Sequence, residues 1–200
     1  AGAMPGAGDD QQVEVLVPAT KLTDKRTVRE EIRRLHADGT TALYAGVQKG
    51  ADEVRKFLVE ERVNRIVLIS DGLANVGPSS TNELGRLGSR LAQENGISVT
   101  TIGLGLGYNE DLMSRLAFNS DGGHYFAEKS CDLSEIFDKE FSRALSVVAR
   151  KVQIEIICGE GMRPVRLLGR EGQIKDRTVT LDIQTIYGNH EKYAILEVEL

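Results

Sequence analysis

Arg65-Ile66-Val67-Leu68-Ile69-Ser70-Asp71-Gly72 is the stretch whose reading decides the fold. The run from Ile66 to Ile69 is apolar without a break, rich in branched side chains, and too short for a helix. A strand of a parallel sheet reads this way, because helices cover both faces and no polar alternation is left. Asp71 then falls at the carboxyl end of that strand, where open α/β sheets gather their ligands.

The same alternation of elements continues on both sides. Downstream, Ser79–Glu94 places Leu84, Leu87 and Leu91 on one helical face, with Gly96 as its stop. Ile97–Leu104 is the next strand. Asn109–Phe118 is a short helix with Asn109 as its cap, and Gly122-Gly123 turns into a short strand over His124–Phe126. Leu133, Ile136, Phe137, Phe141, Leu145 and Val148 make a long helical stripe, with Asp132 and Glu135 giving a capping-box-like start. Upstream, Val13, Val15 and Val17 alternate as in a strand. Val28, Ile32 and Leu35 recur at helical spacing as far as Asp38-Gly39, and Leu43, Val47, Ala51, Val54 and Leu58 mark a second amphipathic helix. Strands alternating with helices at this spacing predict an α/β fold over residues 11–150: a doubly wound, mainly parallel, Rossmann-like sheet flanked by helices.

The pattern changes after Arg150. Residues 152–157, 165–168, 178–183 and 193–200 read as strands separated by glycine-containing turns, so 151–200 is expected to be a small all-β segment that stops in mid-strand. Residues 1–10 are small and glycine-rich and read as a linker, a tag remnant or a splice remnant.

Bulk properties narrow the function. The chain has 200 residues, room for one or two domains, and a net charge of −5 with no Lys/Arg cluster, so no nucleic-acid footprint is expected. No apolar run is long enough for membrane insertion. Cys131 and Cys158, far apart, make neither a disulfide framework nor a zinc site. Gly103-x-Gly105-x-Gly107 follows a strand as a dinucleotide loop would, but Tyr108 stands where that fingerprint wants glycine, so a turn is expected. His124 reads as structural, His36 as a helix-end cation and His190 as a turn residue; Glu60-Glu61-Arg62 reads as a solvated helix end. No Ser/His/Asp set and no Cys/His pair emerges.

Asp38-Gly39-Thr40-Thr41-Ala42-Leu43-Tyr44-Ala45-Gly46, Val67-Leu68-Ile69-Ser70-Asp71-Gly72 and Val99-Thr100-Thr101-Ile102-Gly103-Leu104-Gly105 follow one another at normal spacings. Asp111-Leu112, Ala117 and Gly122-Gly123-His124-Tyr125-Phe126 come after them. In that order they resemble the von Willebrand factor type A family, especially its bacterial members, over about residues 12–148. The β segment, through Arg166-Leu167-Leu168-Gly169-Arg170-Glu171, is similar to the one that follows this domain in bacterial proteins like inter-α-trypsin inhibitor heavy chains.

The resemblance implies one divalent cation at the carboxyl edge of the sheet, Mg²⁺ or else Mn²⁺ or Ca²⁺, held by three loops. Thr41 matches the second loop's threonine and Asp71 the third loop's aspartate. Hydroxyl and carboxylate oxygens are hard donors suited to such ions, and Mg²⁺ keeps several waters that a partner's Asp or Glu can replace. Thr41 also suits the cap of a helix starting at Ala42, and Asp71 a loop-capping role. Asn75-Val76-Gly77-Pro78 would rim the same face. The first loop of the family, Asp-x-Ser-x-Ser, is missing. Ala1-Gly2-Ala3-Met4 matches its usual ending with both serines changed to alanine, though a tag remnant accounts for it equally and is preferred. The family also places a strand, a helix and another strand before residue 11. Without them the neighbouring strands keep unsatisfied backbone groups at roughly 1–3 kcal/mol each, so the natural domain is expected to contain a further segment.

A module that binds a protein partner through a metal is therefore expected, and not an enzyme. The alternatives are a metal-free module supporting the β segment and, more remotely, a hydrolase or phosphotransfer domain using Asp71. Many bacterial relatives work in the cell envelope, and the resemblance leans that way.

Overall fold

The computed structural model describes residues 2–5, 13–34, 41–59, 62–74 and 76–200. His36, Asp38, Gly39, Thr40, Glu60, Glu61 and Asn75 lie outside the described residues. In chain order the elements of the first part are β1 (Gly2–Pro5), β2 (Val13–Val17), α1 (Lys25–Arg33), α2 (Leu43–Arg55), β3 (Asn64–Ser70), α3 (Thr81–Asn95), β4 (Ile97–Leu104), α4 (Glu110–Asn119), β5 (His124–Ala127) and α5 (Asp132–Leu145). The remainder carries β6 (Val147–Ile157), β7 (Arg163–Leu168), β8 (Gln173–Lys175), β9 (Thr178–Tyr187) and β10 (Ile195–Glu199). The chain divides into two compact units, Ala1–Ile136 and Phe137–Leu200.

In the first unit β3, β4 and β5 form a parallel sheet in that order, with α3 and α4 as the crossovers. This is the doubly wound α/β arrangement the pattern predicts. β4 is its central strand: Ile97 and Val99 on one face and Thr100 and Ile102 on the other are all fully buried. Val47 and Ala51 of α2, Leu84, Leu87 and Leu91 of α3, and Leu112 and Leu116 of α4 close over Ile97 and Val99. Each such leucine contributes about 1.5–3 kcal/mol by leaving water.

Local signals set the helix ends. Ser80 and Glu83 form a reciprocal capping box at the start of α3, and Gly96 ends it in the left-handed conformation at φ 61°. Asn109 caps α4 by accepting from the Leu112 backbone N–H at 3.1 Å. Gly88 lets α3 approach α4, since a Cβ there would lie 2.6 Å from the Leu116 carbonyl oxygen.

β1 and β2 form a separate antiparallel ladder against which α2 also packs. A strand over Gly2–Pro5 departs from the irregular linker expected there; its backbone pairs with Val13–Val17, and pairing needs no apolar periodicity. Buried Glu53 of α2 ties down the chain after β2, accepting from the Ala19 N–H at 2.9 Å and from Lys56 Nζ at 2.5 Å. Lys56 first, and then the Ala19 N–H, hold its carboxyl below the usual range.

The second unit is antiparallel throughout its sheets, with order β6-β9-β8 in one and β7 paired to β10 in the other. Val179, Leu181 and Ile183 of β9 are buried on its inner face. Val148 does not belong to the helical stripe. α5 ends at Leu145, and the Gly188 N–H donates to the Ser146 carbonyl as the chain enters β6. The β-branched pair Val147-Val148 then follows the ladder to β9, and tertiary pairing overrides helical spacing. The capping-box reading at Asp132 and Glu135 also changes, because the Asp132 carboxylate accepts from the Lys129 N–H at 3.0 Å. Cys131 and Cys158 are both free thiols, the first exposed and the second buried.

Candidate functional site

Asp71 leaves β3 at its carboxyl end, and its side chain is exposed. It stands there because β3 must end where its register with β4 ends, at Ser70 opposite Gly103. Ser70 is buried and shapes the turn: its hydroxyl lies 3.4 Å from the Gly72 N–H, which donates to it, and 3.3 Å from the Gly72 carbonyl. Thr41 is half-buried and lies two residues before α2. It does not cap that helix. α2 starts at Leu43 with Ala42 in the cap position and no side-chain capping bond.

Distant segments carrying Thr41 and Asp71 meet at Gly72. A Cβ on Gly72 would lie 3.1 Å from the Thr41 hydroxyl oxygen, so the missing side chain is what lets the threonine approach the turn beside Asp71. The donors are oxygens of the kind a hard divalent cation takes, and the exposure of Asp71 leaves room for water. The described residues contain no group of three or more His, Cys, Asp or Glu placed to hold a metal. A cation held by Thr41 and Asp71 would have few protein ligands and would keep most of its water.

A third loop reaches the same edge. Gly105 turns the chain after β4 at φ 69°, and its N–H donates to the Ala127 carbonyl at 2.9 Å. Gly107 then lies against the Asp71 turn, where a Cβ would sit 3.0 Å from the Asp71 carbonyl oxygen. Tyr108 folds back over β4. Its ring occupies the space a Cβ on Gly103 would need, at 2.1 Å, and it stacks on Phe126 with ring centres 6.2 Å apart. The turn reading of Gly103-x-Gly105-x-Gly107 thus holds, and each glycine has its own cause. Sequence reasoning treated Tyr108 only as a departure from a dinucleotide loop; an aromatic residue five positions after a strand glycine was the available signal.

His124 lies beneath Tyr108. The Thr101 hydroxyl donates to the Met113 carbonyl at 3.0 Å, so at 2.8 Å it accepts from His124 Nδ1–H. His124 Nε2 is then left to accept from the Tyr108 hydroxyl at 3.4 Å. Burial lowers the His124 pKa, opposed by the charge of Glu110. Burial and then Glu110 both raise that of Tyr108. Both ring nitrogens of His124 thus find partners within the fold.

A family model for the von Willebrand factor type A domain matches residues 7–139. The uncharacterised Escherichia coli K12 protein YfbK is 26% identical over 151 residues, which are 75% of this chain and 26% of YfbK. This chain thus spans about a quarter of the length of that relative. Among solved structures, von Willebrand factor type A from Catenulispora acidiphila is similar over 90% of this chain and 45% of its own, with a TM-score of 0.69 at 14% identity. Proximal thread matrix protein 1 from the mussel byssus, solved with a zinc-occupied MIDAS motif, covers 64% of this chain and 31% of its own at 20% identity and a TM-score of 0.46. Domains of this family generally mediate protein–protein interactions. With the parallel sheet, its crossover helices and a family match over more than half its length, this chain belongs to the von Willebrand factor type A domain family.

Proposed function

We propose that this chain is a non-enzymatic protein-binding module whose carboxyl sheet edge binds a partner through a weakly held divalent cation at Thr41 and Asp71. The observation that carries this reading is the approach of the Thr41 hydroxyl to Gly72, which brings two oxygen-bearing segments to one turn. A divalent cation there supplies the positive charge that a partner's Asp or Glu carboxylate answers. Thr41 offers its hydroxyl oxygen, Asp71 its carboxylate, and Gly72 the room between them. The exposure of Asp71 leaves it open to water and to a partner. With so few protein ligands the ion keeps several waters, one of which the partner's carboxylate replaces.

Calorimetric titration with Mn²⁺ tests this. Wild-type protein is expected to bind one ion, and Asp71→Ala to weaken binding at least about tenfold, equivalent to roughly 1.4 kcal/mol. Asp71 is exposed, so thermal stability should stay within about 0.5 kcal/mol. Equal Mn²⁺ affinity in wild type and Asp71→Ala would leave the metal-free module as the better reading.

A further inference from the structure

We propose that Tyr108 is a positioning residue, a latch that fixes the Asp71-Gly72 turn through the Gly105–Gly107 loop. The latch rests on the reading of Asp71 as a site residue, but its test needs no cation. It has three linked contacts. The Tyr108 ring is seated on Gly103 and stacked on Phe126, so the end of the loop cannot slide along β4. Its hydroxyl makes only a long bond, 3.4 Å, to His124, which Thr101 fixes at 2.8 Å through a hydroxyl itself bonded to the Met113 carbonyl. One residue earlier, Gly107 lies close to the Asp71 carbonyl, where an added Cβ would sit 3.0 Å from its oxygen and force one of the two to give way by a few tenths of an ångström. On the other side of the same turn, Thr41 reaches Gly72.

The Asp71 turn is thus gripped between two loops, and it has little rigidity of its own. The bonds joining the Ser70 hydroxyl to the Gly72 N–H and carbonyl are long, at 3.4 and 3.3 Å, and Asp71 and Leu73 are exposed. Leu106, at the tip of the gripping loop, is almost fully exposed and adds no packing. The loop is therefore held at its start by the Gly105 N–H bond to the Ala127 carbonyl and at its end by the ring of Tyr108. Site geometry set by a neighbouring packed ring, rather than by the ligand residues themselves, matches the general need for a supporting layer beneath a binding site.

Amide hydrogen exchange of the metal-free protein, read residue by residue, tests the latch. In Tyr108→Ala, exchange at residues 70–73 should accelerate about tenfold or more, while the amides of α3 and the middle of β4 stay within about twofold. Tyr108→Phe keeps the ring on Gly103 and Phe126 and should stay within about threefold of wild type at the same residues. Gly107→Ala, which pushes the loop off the Asp71 carbonyl without touching the ring, should reproduce the local acceleration and keeps the test open if Tyr108→Ala does not fold. Unchanged exchange at 70–73 in the folded variants, or equal acceleration across the whole first unit, would overturn the latch. Failure of wild-type protein to bind Mn²⁺ would instead count against the metal reading and leave the latch standing.

Discussion

At the scale of single residues, His124 offers the most direct handle on the edge of the sheet. It is bonded as a neutral ring between Thr101 and Tyr108, and burial lowers its pKa below the ordinary value. A histidine with a depressed folded-state pKa leaves stability intact above its unfolded value, near pH 6.5. That stability is lost as pH falls through this value toward the lower folded one. Glu110 is the charged group that works against the shift. Thermal melts from pH 8 to pH 5 should show the midpoint falling on the acid side. His124→Gln should remove that part of the fall, and parallel curves for the two proteins would contradict it. Of the two ligand candidates, the position of Asp71 at the end of β3 was legible from the apolar run that precedes it. Thr41 was legible only through family resemblance: a threonine before a helix reads first as a cap, and its real neighbour, Gly72, is 31 positions away in sequence.

Among the elements, α3 shows how much of the fold rests on its boundaries and its small residues. Replacing Ser80 by alanine removes the hydroxyl of the capping box and should cost about 1 kcal/mol in denaturant unfolding. Gly88→Ala should cost more, about 1–3 kcal/mol, because the added carbon meets the Leu116 carbonyl oxygen at 2.6 Å and the two helices must part. An unchanged unfolding midpoint for Gly88→Ala would mean that the α3–α4 contact is looser than described. The helices and buried strands of the first unit could be read from periodicity because one face of each is committed to a core. β8, three exposed residues over Gln173–Lys175, gave no such signal, since a short edge strand has nothing to bury. Val148 misled for the opposite reason: an apolar residue three positions after Leu145 lies in β6, at an irregularity between the pairing of Val147 with Tyr187 and that of Ala149 with Ile186. The capping box at Ser80 is written in the sequence as Ser80 and Glu83 three residues apart, whereas the similar spacing at Asp132 misleads because its carboxylate turns back to Lys129.

On the scale of the molecule, two units of different character share one chain, a parallel α/β unit that carries the candidate site and a unit over 137–200 that holds the end of α5 and the antiparallel strands β6 to β10. The sequence foretold this change of character because helical patterns cease where alternating β-branched residues begin. It could not foretell how Thr41, Asp71 and Gly107 converge, since they belong to three segments that only the folded sheet brings to one edge. That convergence is the centre of the account, and Mn²⁺ broadening of amide NMR signals tests it most directly. Added Mn²⁺ should first bleach the signals of Thr41, Asp71, Gly72 and Gly107, with those of Ile97 and Ser98 at the opposite end of β4 broadening later, and Asp71→Ala should abolish that order. Uniform broadening, or broadening centred on another acidic surface and unchanged in Asp71→Ala, would contradict a cation-dependent binding edge at Thr41 and Asp71.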